Sequence, residues 1–202
     1  MAISTAIDLC ARRRCFGCRA DGPWLCASCR ADLAPPVSSV PIPSVDEIYI
    51  PWRYEGAARD LVLALKLRGQ RPAARPLAAA LAASIHARGT AASAITWVPA
   101  RRRDIRRRGF DHAEVIARAL GDTIGLPVTC MLGRTSARPD QTTLSAIERR
   151  ANLEGAFRGR AVAEAVLLVD DLVTTGATAS SCARALRSAG SHIVEVAAPC
   201  RA

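Results

Sequence analysis

Aromatic residues make up only 4% of this 202-residue sequence, and lysine occurs once, at Lys66, among 28 basic side chains. The first scarcity, with alanine supplying much of the apolar content, points to small-faced helices packed closely on a sheet. The second leaves nearly all positive charge to arginine, whose planar fork suits phosphate and carboxylate ligands. No apolar run approaches the roughly 20 residues that a membrane helix needs. The opening MAISTAIDLC lacks a charged leader and a long apolar stretch, and Asp8 interrupts it, so no secretory signal is expected. Internal repeats are absent. These absences predict a cytoplasmic chain with no membrane insertion.

What is present sets the rest. Half the residues are hydrophobic, which argues against disorder, and the length allows one full core plus a small appendage. The formal charge of +10 fits polyanionic partners such as nucleic acid or phosphorylated metabolites; an arginine-rich proteome would give the same figure.

Eight cysteines in a chain expected to be cytosolic point to metal before disulfides. Cys15-x-x-Cys18 and Cys26-x-x-Cys29 are two knuckles seven residues apart, with Gly17 and Gly22 for tight turns. Four thiolates so spaced can close a tetrahedral zinc site, with iron–sulfur ligation the alternative. So short a segment buries too little apolar surface to fold unaided, so the Zn2+ would be structural. Cys10 lies off the pattern; Cys130, Cys182 and Cys200 read as small buried residues.

We place a zinc-binding element at 1–34, a proline-rich linker at 35–45 and one larger domain at 46–202. In the last, strands alternate with helices. IYIPWRY reads as a strand or sheet edge, and residues 56–68 as a helix ended by Gly69. A second helix starts at Pro76, AITWV is a strand, and Asp111–Leu120 is a helix closed by Gly121. Residues 128–132 and 166–169 read as strands, a helix follows the latter, and HIVEVAA closes the pattern. The alternation predicts an α/β fold with a mostly parallel sheet flanked by helices.

The strongest chemical signal is VLLVDDLVTTGAT, Val166–Thr178. Asp170 and Asp171 follow a buried strand directly, at the carboxyl edge where open parallel sheets bind ligands. Two adjacent carboxylates repel each other and resist burial, so they want donors or a cation. Thr174, Thr175, Gly176, Ala177 and Thr178 form a small, hydroxyl-rich loop entering a helix, suited to curl around a phosphate. A ribose 5-phosphate unit satisfies both demands: sugar hydroxyls donate to the acids and the phosphate sits in the loop. A Walker B strand is the rival, but no G-x-x-x-x-G-K-[ST] partner exists. The bland alternative has these residues merely capping a turn and a helix.

VPARRRDIRRRGF follows the AITWV strand, with six arginines against Asp104 alone. It reads as a basic loop able to hold pyrophosphate or to track a nucleic-acid backbone; with only Phe110 nearby, base stacking has little support. Arg101, nearest the strand, is the candidate pyrophosphate contact, and Lys66 a weaker site candidate. Residues 134–152 are polar and long enough for an active-site lid, and Ser145 to Glu148 reads as a capping box. His112 and His192 have no partner spacing and read as surface or packing residues.

The acid–threonine run resembles the signature of type I phosphoribosyltransferases, which implies phosphoribosyl pyrophosphate with Mg2+ as substrate. The combination of CFGC, CASC, the lysine of LALKLRG, VPARRR, RRRGF, Arg134-Thr135, Gln141, Leu144, IERRANLEGAF and VLLVDDLVTTGAT resembles the ComF family of competence-associated phosphoribosyltransferase-like proteins. That resemblance implies a type I phosphoribosyltransferase domain behind a four-cysteine zinc element, and a role in DNA uptake beside a helicase. Asp111-His112 stand where that family usually has Asn-Gln, and the proline-rich stretch around Val98–Arg101 is abbreviated. The expectation is therefore phosphoribosyl transfer to an unknown acceptor. The alternative is a non-catalytic adaptor that binds single-stranded DNA or a helicase and keeps a regulatory ribose-phosphate pocket.

Overall fold

The computed structural model describes residues 13–36, 41–135, 155–160 and 163–202. The capping box and most of the predicted lid, 136–152, lie outside them, as does Cys10.

A four-stranded parallel sheet forms the centre. Its strands are β1 (Glu47–Tyr49), β3 (Ala94–Trp97), β6 (Ala165–Val169) and β7 (Ile193–Ala197), in the order β1-β7-β6-β3. β6 is buried along its whole length, as expected of a strand covered on both faces. Its alternation divides the core. Leu167 and Val169 pack with helices α2 (Gly56–Arg68), α3 (Ala74–Arg88) and α5 (His112–Ile124); Val166 and Leu168 pack with α6 (Ala177–Ser188). The α/β sandwich predicted from the sequence is thus present.

Two small sheets complete the fold. β2 (Trp52–Arg53) pairs in parallel with β8 (Cys200–Arg201). β4 (Leu132–Arg134) pairs antiparallel with β5 (Phe157–Gly159), and the two strands pack on α6. A short helix α1 (Ala27–Ala31) belongs to the cysteine segment. Phe16 and Leu25 of that segment join the same apolar cluster as α2, and an added Cβ on Gly17 would come within 2.9 Å of Ala57.

Several expected boundaries shift. Helix α3 begins at Ala74, behind a 3-10 turn at Arg71–Ala73, because Pro76 falls in the first turn where its missing N–H costs nothing. Gly121 does not close α5, which runs on to Gly125 in the left-handed conformation. Gly121 is small for a packing reason: a Cβ there would lie 2.4 Å from Val128 and 2.8 Å from the Leu126 carbonyl. Residues 128–130 make only a bridge to β3, and the strand forms at 132–134. The basic loop is instead a helix, α4 (Arg102–Arg108), capped by Gly109 at φ 79°. Asp104 pairs with Arg107 and Arg108 one turn on, which relieves part of the repulsion.

Candidate functional site

Register brings the predicted pieces to one edge. Trp97 of β3 lies opposite Val169 of β6, so the loop 98–101 and the acid pair leave neighbouring strands at the same end. The Val98 N–H donates to the Val169 carbonyl at 2.9 Å, and the Asp170 N–H to the Ala197 carbonyl at 3.0 Å.

Asp170 and Asp171 are 9% and 5% exposed; Oδ1 of Asp170 accepts from the Asp171 N–H at 2.8 Å, and Asp171 faces two basic side chains. Lys66, near the end of α2, places Nζ 2.8 Å from Oδ2 of Asp171, and His112 places Nε2 3.3 Å from the same oxygen. Burial opposes the charge of Asp171, but the contact with His112 and the charge of Lys66 outweigh it. They hold that carboxyl well below the usual range. Asp170 goes the other way: burial first, and then the charge of Asp171, raise it well above its ordinary value. The two neighbours are thus pushed in opposite directions, Asp171 toward the ionised form and Asp170 away from it. Lys66 stays cationic because the nearby acids outweigh its own desolvation.

The threonine loop lies beside the acids. Thr174 and Thr175 are exposed at the rim, while Ala177 and Thr178 begin α6 half-buried. Gly176 caps α6 at φ 76°, a conformation costly for any side chain, and a Cβ there would lie 2.8 Å from Ile42. The predicted linker thus contributes a buried residue that supports the loop from below.

Arg101 is exposed at the start of α4. Its charge is felt by Arg134, which burial and then Arg101 shift below the ordinary arginine value. Arg134 donates to the Pro99 carbonyl at 2.9 Å and stacks over Phe157 at 4.8 Å. Two guanidiniums so placed favour an anion between or beside them. Arg108 serves the scaffold, donating to the Lys66 carbonyl at 3.2 Å.

Two residues of this edge escaped the sequence reading. Arg134 was noted only as part of a family motif. His112, expected at the surface or in packing, is buried against Asp171; a contact between residues 59 positions apart leaves no trace in spacing. Cys130 also differs from expectation: it is exposed, whereas Cys182 and Cys200 are buried. A depression of about 510 Å3 between β5 and α6, lined by Arg158, Ser181 and Arg184, includes none of the predicted site residues.

The second constellation is the cysteine segment. The sulfurs of Cys15, Cys18, Cys26 and Cys29 all lie within 4.8 Å of one another. A tetrahedral zinc with Zn–S bonds of about 2.3 Å needs sulfurs ~3.8 Å apart, and the Cys18–Cys26 separation is 3.7 Å. The Cys26 N–H points at Cys15 Sγ at 3.4 Å, and the Cys29 N–H at Cys26 Sγ at 3.5 Å. Burial alone would raise the Cys15 thiol, but backbone N–H donors outweigh it and bring it down to about 6, so it ionises readily. The donor set fits a zinc site, and every sulfur is used in closing it.

Fold and sites together define the class: an α/β protein with a four-stranded parallel sheet, an acid pair at its carboxyl edge, and a four-cysteine cluster. No protein-family model matches the chain. Individual proteins do. The chain is 29% identical over 187 residues to the DNA utilization protein YhgH of Escherichia coli K12, covering 89% of this chain and 73% of that one. It is 34% identical over 124 residues to YhgH of Escherichia coli O157:H7, covering 58% and 55%. It is 31% identical over 96 residues to Competence protein F of Haemophilus influenzae, covering 45% and 42%. The likeness to proteins named for DNA utilization extends over most of this chain's length. Among the described residues, no helix is long and apolar enough to cross a membrane.

Proposed function

We propose that this protein binds Mg2+–phosphoribosyl pyrophosphate at the carboxyl edge of the sheet and transfers the phosphoribosyl group to an acceptor. The observation that carries this is the juxtaposition of a buried acid pair, Asp171 in contact with Lys66, with a small-residue loop entering a helix. The pair suits two sugar hydroxyls, whose protons the carboxylate oxygens accept. The 5-phosphate takes the N–H groups of Thr174–Thr178 at the start of α6. Arg101, joined by Arg134, takes the pyrophosphate.

In transfer, the bond from C1 to pyrophosphate oxygen breaks and its electron pair leaves with the pyrophosphate. C1 passes through an oxocarbenium-like state and bonds to the acceptor, which gives up a proton. The Asp171 charge lies fixed beneath the sugar and stabilises the positive charge as it develops. Lys66 keeps Asp171 ionised while the site is empty. The four cysteines hold a structural Zn2+.

A pyrophosphate-release assay against a panel of bases and amines tests transfer. Release that depends on one acceptor and vanishes in Asp171→Asn supports it; tight binding with no release from any acceptor overturns it. A second reading rests on the exposed arginines of α4 and on relatives named for DNA utilization and competence. In it the protein is an adaptor for single-stranded DNA or a helicase, and the ribose-phosphate pocket regulates it. DNA binding that falls steeply with salt, weakens when Arg106 and Arg107 are neutralised, and ignores Asp171→Asn would favour it.

A further inference from the structure

The ribose-phosphate reading leaves His112 without a task, yet its placement is unusually determined. It is the first residue of α5, 8% exposed, with Nε2 3.3 Å from Oδ2 of Asp171; that oxygen and His112 Nδ1 are both buried without a well-aligned hydrogen bond among the described residues, which leaves Nε2 as a ring donor within reach of Oδ2. Its backbone is pinned from both sides by Asp111. Oδ1 of Asp111 accepts from the Ala113 N–H at 3.1 Å and caps α5; Oδ2 accepts from the Ala100 N–H at 2.8 Å and ties in the loop that leads to Arg101.

The other group on Asp171 is a poor orienter. Lys66 is a point charge on a flexible stem, and its side chain is 35% exposed. It can neutralise a carboxylate without fixing the rotation of its plane. An imidazole at the pinned start of a helix is rigid, and a hydrogen bond from it is directional. The tautomer is also settled by the surroundings. A proton on Nδ1 alone would be a buried donor without an acceptor, while a bare Nε2 would face a carboxylate oxygen, so the proton belongs on Nε2.

We propose that His112 is a positioning residue of the ribose-phosphate site: its Nε2, 3.3 Å from Oδ2 of Asp171, closes to a hydrogen bond when ligand binds and fixes that carboxylate in the orientation that receives a sugar hydroxyl. The inference rests on the reading above and deepens it: Asp111-His112 braces the pyrophosphate-side loop and the ribose-side acid against each other.

Calorimetric titration of Mg2+–phosphoribosyl pyrophosphate into the full-length, zinc-loaded protein tests this. His112→Gln keeps an N–H donor within reach and retains most of the affinity. His112→Leu keeps the bulk without the donor and weakens binding about 10- to 100-fold, the worth of one hydrogen bond to a charged group. Wild-type affinity in His112→Leu overturns the proposal. So does a 15N spectrum of the wild type with no proton on Nε2, which keeps the test decisive if the leucine variant fails to fold. Asp171→Asn separates the two levels. If it leaves binding intact, the ribose-phosphate reading itself fails; if it abolishes binding while His112→Leu does not, only the role of His112 fails.

Discussion

The cysteine segment and the acid edge are both clusters of chemically demanding side chains, but they are assembled in opposite ways. All four sulfurs come from fifteen consecutive residues and converge through two local turns. The acid edge draws Lys66 from α2, His112 from α5, Arg101 from the loop before α4, Arg134 from the end of β4, and Asp170–Asp171 from the end of the central strand β6. One site would be built by its ligand; the other is built by the sheet before any ligand arrives. The lesson is energetic. The cysteine segment has little core of its own and would draw its stability from a bound metal, whereas the acid edge draws on core stability to hold two carboxylates in surroundings that resist them.

The sharpest way to break this comparison is to remove the metal. Structural zinc contributes about 10–16 kcal/mol in isolated finger peptides. Stripping it, or Cys26→Ser, should therefore unfold the cysteine segment with release of one zinc per chain. Metal analysis, together with the fluorescence of Trp24, which stacks on Phe16 at 5.6 Å, reads this out. A metal-free protein with a folded segment contradicts the assignment.

Next in size is the loop. Gly176→Val forces a branched side chain to φ 76° and against Ile42, at a cost of roughly 2–5 kcal/mol from the two effects together. Thermal unfolding should register the loss, and phosphate-containing ligands should bind poorly to what remains folded.

The smallest effect has the opposite sign. The Asp170 carboxyl is raised in the folded protein, so above the ordinary aspartate range the unfolded chain releases a proton that the folded one keeps. Stability then falls as pH rises through the window between the two values. Asp171 is lowered, so its contribution is present above the ordinary range and lost only as pH falls below it. Asp170→Asn should thus raise stability at pH 7 by about 1 kcal/mol, or about 2–4 °C in Tm, and flatten its pH dependence, while weakening ligand binding. A less stable Asp170→Asn protein would mean that the acid is an ordinary structural contact.

How much of this was legible beforehand follows the same divide. The knuckles, the VLLVDD strand and the threonine loop are local in sequence, and each stands out by composition or spacing alone. The sheet was legible because apolar runs alternate with helical stripes. The α4 helix was hidden because six arginines look like a repelling loop until Asp104 and the Lys66 carbonyl are seen to absorb part of their charge. His112 and Arg134 were hidden for a different reason. Each acts across an interface between elements, His112 on Asp171 and Arg134 on Pro99, and the partner's identity is fixed only by packing. Gly121 shows the converse error: a glycine that resembles a helix stop is required by the close approach of Val128.

The central claim is that the ionised carboxylate of Asp171, held by Lys66 and His112, receives the hydroxyls of a ribose phosphate. Isothermal titration of Mg2+–phosphoribosyl pyrophosphate into the wild type and into Asp171→Asn measures it most directly. The account predicts saturable binding to one site per chain in the wild type and a loss of at least about 100-fold in the variant, as expected when a charged partner is lost from a buried hydrogen-bonded pair. Equal affinity in the two proteins, or no binding to the folded wild type, would contradict it.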